Sequence, residues 1–222
     1  MPALLPVPTL GKCSIRIIIN LILERLQDQS EISTDEWANS LQKLFLEHIH
    51  ITASYQELID TLLVKLDALF VEVPSKRSKV RQFVPKLMGS HLKALDFTKS
   101  QVISDKTITK TIYLSMEKTC PNIESLTLGK SFIFQPDLVK DLNCRLGVFK
   151  NLISLHLIYI ATPDALYQLG EICPKLKDLC LRGSGAVGNE SVEYISSCQN
   201  LILLDIQGTK ISGMGCFNII ES

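Results

Sequence analysis

The sequence predicts an α/β solenoid segment preceded by a helical region. Two observations carry this. Five short blocks of alternating apolar residues recur along the second half of the chain, 31, 29, 24 and 25 residues apart. The first 85 residues lack that recurrence and show apolar residues at helical spacing instead. Recurrence at a period of 20–50 residues is the mark of a stacked-repeat architecture, and it is read before any local motif.

The blocks are "HLKALDF" from His91, "NIESLTL" from Asn122, "NLISLHL" from Asn151, "KLKDLCL" from Lys175 and "NLILLDI" from Asn200. Each is a polar residue followed by LxxLxL, with isoleucine or phenylalanine standing in at some leucine positions. Three are preceded by a cysteine two residues upstream of the polar residue: Cys120-Pro121-Asn122, Cys173-Pro174-Lys175 and Cys198-Gln199-Asn200. A helical pattern precedes each cysteine, as in Pro163 to Leu166 through Leu169 and Ile172. Over residues 91–222 this resembles the cysteine-containing leucine-rich repeats of the ribonuclease-inhibitor-like kind, found in leucine-rich members of the F-box family. The resemblance implies a right-handed α/β horseshoe segment of about five repeats, occupying residues 86–222. It also implies protein binding through the concave face of the sheet.

The physical basis is simple. Side chains alternate across a strand, so the leucines of LxxLxL point into the core and the residues between them point out. One repeat cannot bury its own apolar face; stacking neighbours makes the core continuous. Each buried leucine contributes about 1.5–3 kcal/mol by area. Leu126, Leu128, Leu155, Leu157, Leu179, Leu181, Leu204 and Ile206 are the expected spine. The three cysteines are expected to be small, buried and inert, because burial raises a thiol's pKa.

The outward column then reads Asp96, Thr127, His156, Cys180 and Asp205, flanked by Ser125, Ser154, Asp178, Arg182 and Gln207. From it, Asp96, Thr127, His156, Asp178, Cys180, Arg182, Asp205 and Gln207 are the candidate partner-binding residues; the alternative is a solvated surface. His156 beside Asp178 or Asp205 raises acid–base chemistry, but no nucleophile or pocket is evident with it.

A second motif competes for residues 178–208. Gly183-x-Gly185-x-x-Gly188 follows a strand pattern, precedes a short helix, and Asp205 lies further on. That outlines a dinucleotide-binding fingerprint and, with it, a nucleotide-dependent enzyme. The fingerprint needs further βαβ units to complete its crevice. The preferred reading makes the glycines turn residues between a repeat's strand and its helix, where positive φ is free of steric cost.

The helical region (residues 1–85) has three apolar-periodic stretches. "SIRIIINLILERLQD" covers 14–28. "STDEWANSLQKLFLEHI" starts at an N-cap Ser33 or Thr34 with acids in its first turn and contains Trp37, read as packing. "SYQELIDTLLVKLDALF" runs over 54–70 through Leu58, Leu62, Leu66 and Leu69. These are expected to pack together and cap the first repeat. "VPSKRSKVRQFVP" (73–85) reads as an exposed basic linker, with nuclear import or phosphate contact as its functional alternatives.

Leucine-rich ubiquitin-ligase receptors place an adaptor-binding element before the repeats. The L-P-x-E order of an F-box does not occur here. "TLGKCSIRIII" is similar to the box that docks elongin adaptors, with two residues rather than three between Leu10 and Cys13. The resemblance implies a substrate receptor of a cullin-type ligase in which Leu10, Cys13 and Ile17 fill an apolar adaptor groove. The alternative packs those residues against the repeats.

Composition bounds the rest. Lysine plus arginine equals aspartate plus glutamate, 23 each, which gives no general push toward nucleic acid or an anionic membrane. The longest apolar run, Ile17 to Leu23, holds Asn20 and is far short of the ~20 residues of a membrane helix. The start lacks the basic n-region of a secretory signal. Seven cysteines without a CxxC pair, and His48, His50, His91 and His156 set apart from them, make zinc a poor fit. Unpaired thiols suit the cytosol or nucleus. The expectation is thus a non-catalytic protein-binding module without cofactor or metal. Its apolar final segment, with Met214, Cys216, Phe217, Ile219 and Ile220, is expected to be covered by further repeats or a partner, and otherwise to self-associate.

Overall fold

The computed structural model describes residues 19, 20, 22–24, 26, 52–133, 135–140 and 142–221. Its centre is one parallel sheet of five strands in the order β1-β2-β3-β4-β5. The strands are β1 (Ala94–Asp96), β2 (Ser125–Leu128), β3 (Ser154–Leu157), β4 (Asp178–Cys180) and β5 (Leu203–Asp205). Every strand pairs with its neighbour in the chain, and helical segments fill each connection. The class is therefore α/β, as the repeated blocks predict.

The register follows the leucines. Leu95 pairs with Leu126, Leu126 with Leu155, Leu155 with Leu179 and Leu179 with Leu204. Leu126, Leu128, Leu155, Leu157, Leu179 and Leu181 are fully buried. Leu204 and Ile206 depart from the expected spine and are only half-buried. Among the described residues their strand is paired on one side alone.

A backbone pattern recurs one residue or so before each strand. The carbonyl of Lys93 accepts from the amides of Glu124 and Ser125, at 2.7 and 3.0 Å. The carbonyl of Glu124 accepts from Ile153 and Ser154, that of Ile153 from Lys177 and Asp178, and that of Lys177 from Ile202 and Leu203. The polar residue opening each block has a matching role. Asn122 donates to the Ser90 carbonyl (3.0 Å) and Asn200 to the Pro174 carbonyl (2.9 Å), while Lys175 donates to Asn151 Oδ1 (2.7 Å).

Helix α1 (Thr52–Glu72) buries Leu58, Leu62, Leu66 and Leu69, the stripe its spacing predicts. It also tends the free edge of β1. Gln56 Oε1 accepts from the amides of Lys93 and Ala94 (3.3 and 3.1 Å), and Asp67 Oδ1 accepts from Val102 N (2.8 Å). Earlier in the chain Ile19, Ile22 and Leu26 are helical and buried, as the 14–28 pattern requires. Residues 33–49, with Trp37, lie outside the described residues.

The expected exposed linker at 73–85 is corrected. Pro74–Lys76 and Val84–Leu87 are 3-10 turns flanking α2 (Arg77–Phe83), and Val80, Phe83, Val84 and Leu87 are buried. Their spacing is helical, but basic residues between them mask it. Two of those cations are tied to neighbouring elements. Arg77 donates from Nε to the Phe70 carbonyl at 2.7 Å and lies 5.4 Å from the Phe70 ring centroid. Arg81 forks onto Asp105, with Nη2 to Oδ2 at 2.9 Å. A single apolar cluster runs from Ile19 through this segment to Cys198.

Asp105 is the N-cap of α3 (Lys106–Thr119) and accepts from the amides of Thr107 and Ile108. Burial alone pushes its carboxyl up, but the hydrogen bonds from Arg81 and from those amides outweigh it and hold the carboxyl below the ordinary range. A depressed folded-state pKa stabilises the fold above the unfolded value, about 3.9, and that contribution is lost as pH falls through the folded value. Asp105→Asn keeps a competent cap but loses the ionised partner of Arg81, and should therefore lower stability at neutral pH by up to about 1 kcal/mol. Its difference from the parent should shrink below about pH 4. Urea melts across that range check this; a constant difference would remove the ionised carboxylate from the account.

The remaining helices are short: α4 (Pro136–Lys140), α5 (Leu142–Leu146), α6 (Pro163–Leu166), α7 (Leu169–Ile172), α8 (Val192–Ser196) and α9 (Gly213–Glu221). The single helical pattern over 163–172 is broken in two, because Gln168 takes a left-handed φ of 53°. Cys120, Cys173 and Cys198 are buried, as expected of small residues closing the helix layer. Burial pushes the Cys173 thiol up to about 12 and the Cys198 thiol up to about 11.

Candidate functional site

The sheet's polar column is in register from end to end. Asp96 pairs with Thr127, Thr127 with His156, His156 with Cys180 and Cys180 with Asp205. Two residues earlier in β2, β3 and β4, Ser125, Ser154 and Asp178 line up beside it. The column holds four half-buried side chains and one surprise. Thr127, expected to face solvent, is only 8% exposed. It is a short side chain between Asp96 and His156 on the flanking strands, and its longer neighbours cover it.

Three local networks organise the face. At its first end, Asp96 Oδ1 accepts from the Thr98 amide (2.8 Å) and hydroxyl (2.6 Å), fixing the turn after β1. In the middle, Asp178 Oδ2 accepts from Ser154 Oγ and from His156 Nε2, both at 2.9 Å; Ser154 Oγ and His156 Nε2 are 3.2 Å apart. At the last end, Asp205 Oδ2 accepts from Arg182 Nε at 2.9 Å and Nη2 at 2.8 Å, and Cys180 Sγ lies 3.7 Å away. The Gln207 amide donates to Asp205 Oδ1 at 3.0 Å. That backbone bond first, and then Arg182, hold the Asp205 carboxyl below its ordinary value. Burial, with Asp205 beside it, pushes the Cys180 thiol up. Ser154 is the residue that sequence reasoning placed only as a flanking position; its pairing with Asp178 across strands depends on register.

Serine, histidine and aspartate meet here, yet not as a relay. A hydrolytic triad needs the carboxylate on one ring nitrogen and the serine on the other, so that the ring can take the hydroxyl proton. Here one ring nitrogen faces both partners, and the serine proton points at the carboxylate. The arrangement fixes three polar side chains in place and leaves the second ring nitrogen facing outward from this network.

The glycine turn has a specific geometry too. Gly183 has φ 72°, in the left-handed region, and its amide donates to the Gln207 carbonyl. The Gly185 amide donates to the Gly183 carbonyl and that of Val187 to Ser184. Gly188 N donates to Glu190 Oε1 at 3.1 Å. A pyrophosphate loop offers such amides to the ligand; these are taken up internally, the last by a carboxylate. The helix after them, α8, has only five residues.

Leu10, Cys13 and Ile17, the adaptor-docking candidates, lie outside the described residues. Among the described residues no group of three or more histidine, cysteine or acidic side chains is gathered to hold a metal ion, and no helix is long and apolar enough to cross a membrane. Comparison with protein-family models and with curated proteins found no match to this chain.

The end of the sheet is apolar. Ile202 just before β5, Leu203 at its start, and Met214, Phe217 and Ile220 on α9, are all more than half exposed. Cys216 and Ile219 are half-buried. The only charged residues from 202 to 221 are Asp205, Lys210 and Glu221.

Proposed function

We propose that this chain is a leucine-rich solenoid segment that binds a protein partner through the concave face of its sheet, without catalysis. The observation that carries the reading is the unbroken register of the LxxLxL blocks, with its recurring carbonyl pattern. It sets a column of ordered polar side chains on one side of the sheet and the leucine spine on the other. Repeat stacks of this type bind through the surface their strands share. Ordered polar groups with neutral, mixed chemistry suit recognition of a protein surface better than a uniformly charged ligand. The helical region, with Gln56 on the β1 edge, acts as the cap of the first repeat.

The test compares two variants in affinity purification from cytosolic and nuclear extracts. Asp178→Lys with Arg182→Glu alters the face; Lys118→Glu alters the exposed side of α3. A partner retained by the parent and by Lys118→Glu, but reduced about tenfold or more on the altered face, is the expected result. Equal recovery on all three moves the interface elsewhere.

A further inference from the structure

The two ends of the sheet are finished differently. The carbonyl just before each of the first four strands takes two amides of the next block, as Lys177 takes those of Ile202 and Leu203 at 2.8 and 2.9 Å. At the β1 edge, Gln56 Oε1 supplies that acceptor to the amides of Lys93 and Ala94. A side chain of α1 thus stands in for a carbonyl and closes the edge. At β5, among the described residues, the Ile202 carbonyl receives no such pair of amides. Leu203 and Asp205 turn their backbone toward β4, the first donating to Lys177 and the second accepting from Leu181 at 2.7 Å. Alternation along the strand leaves the N–H and C=O of Leu204 on the open edge.

Helix α9 continues this open end. Its Gly215 faces the preceding repeat: a Cβ there would lie 3.2 Å from Val192 Cγ2 on α8 and 2.7 Å from Asn189 Oδ1. Phe217, two residues on, is turned about 200° away from that contact. Met214, Phe217 and Ile220 follow one another at a spacing of three and so share the far side of the helix. At their fractional exposures these three, with Ile202 and Leu203, present on the order of 600 Å² of apolar side chain, the size of the largest patches on monomers. The few charges of this segment offer no net repulsion to a surface like itself. Arg182 holds Asp205, and Lys210 and Glu221 are of opposite sign.

We propose that this end is a two-fold interface between two copies of the chain, with their β5 strands paired antiparallel. A head-to-tail stack would need the amides of Lys93 and Ala94, which Gln56 already holds. A two-fold through Leu204 uses the open end alone. It makes the two Leu204 residues a hydrogen-bonded pair, each N–H donating to the other copy's C=O. It sets Leu203 of one copy opposite Asp205 of the other, so no like charges face each other across the strands. An antiparallel edge pair of this kind has its axis perpendicular to the sheet. Both helix layers then lie on one side, where the two α9 stripes meet, and both concave faces open on the other. The five apolar side chains and the strand edge together approach the ~800 Å² per partner of a standard interface. The interface lies off the polar column, so it stands whether or not that face binds.

Sedimentation equilibrium of the full chain from about 1 to about 200 μM tests this. The expected result is a monomer–dimer equilibrium with a micromolar Kd and no larger species, because a two-fold contact closes on itself. Phe217→Glu should weaken it about thirtyfold or more, the scale of a central interface aromatic. Val64→Glu, on the exposed side of α1, should leave it unchanged. Both positions are exposed, and unchanged circular dichroism melts at low concentration verify the fold. In a mixture of methyl-labelled and unlabelled chain, isotope-filtered NOEs should link the Leu204 methyls of the two copies. A monomer throughout the concentration range leaves this end to a further repeat or another protein and overturns the pairing. Growth beyond the dimer, a dimer that Phe217→Glu leaves intact, or a dimer without the Leu204 contact overturns the two-fold arrangement.

Discussion

Leu155→Asp is expected to abolish the cooperative thermal melt of the purified chain. Leu155 is fully buried on the central strand, between Leu126 and Leu179, which are equally buried. A carboxylate there would meet only apolar neighbours. Burying it unpaired, or distorting the sheet to hydrate it, costs several kcal/mol, against a total stability of about 5–15 kcal/mol for a domain. Ile153 is 38% exposed, one residue before the strand begins. Ile153→Asp should change stability by no more than about 0.5 kcal/mol. Circular dichroism melts of the two variants decide the matter. An unchanged melt for Leu155→Asp would show that the leucine register does not form the core.

Gly170→Val should be the second most damaging substitution, and Gly185→Ala should be silent. Gly170 stands in α7 where the chain after α8 passes closest. A Cβ on it would lie 2.5 Å from the Ser197 carbonyl carbon and 2.7 Å from Ser197 Oγ, with the carbonyl oxygen nearer still. The Gly170 amide already donates to Ser197 Oγ at 3.3 Å. The obstacle is backbone, so it cannot swing aside as a side-chain tip would. Overpacking of this kind costs about 1–3 kcal/mol, and the branched valine belongs at the upper end. At Gly185 an added Cβ meets no heavy atom within 4 Å, and φ lies outside the left-handed region. Urea unfolding should give a loss of about 2–3 kcal/mol for the first and within about 0.5 kcal/mol of the parent for the second. Similar losses at both positions would contradict the close approach at Gly170.

The contrast between these glycines shows what could be read in advance. A leucine repeat fixes strand register because a slip of one residue would turn every leucine to the wrong face. The pairing of Asp96 through to Asp205 was therefore legible residue by residue, as was the apolar surface of α9. Gly170 was not, because its role depends on how near one connection passes to the next. The packing of the 73–85 segment was hidden for a related reason. Its apolar positions alternate with cations, and only the placement of Phe70 and Asp105 shows what Arg77 and Arg81 bond to. Thr127 hid in the same way: its burial is set by the length of its neighbours on other strands.

The buried thiols give the chain its own chemical timekeepers. Cys120, Cys173 and Cys198 occupy matching places, each just after the helical segment that leads to β2, β4 and β5. A reagent that attacks thiolates has no route to them while their helices are docked, and burial keeps them protonated. Cys144 on α5 is exposed and marks zero time. The order in which the other three become modified then reports, unit by unit, which part of the sheet comes apart first. The connections into β2, β4 and β5 would thereby be timed without any engineered residue.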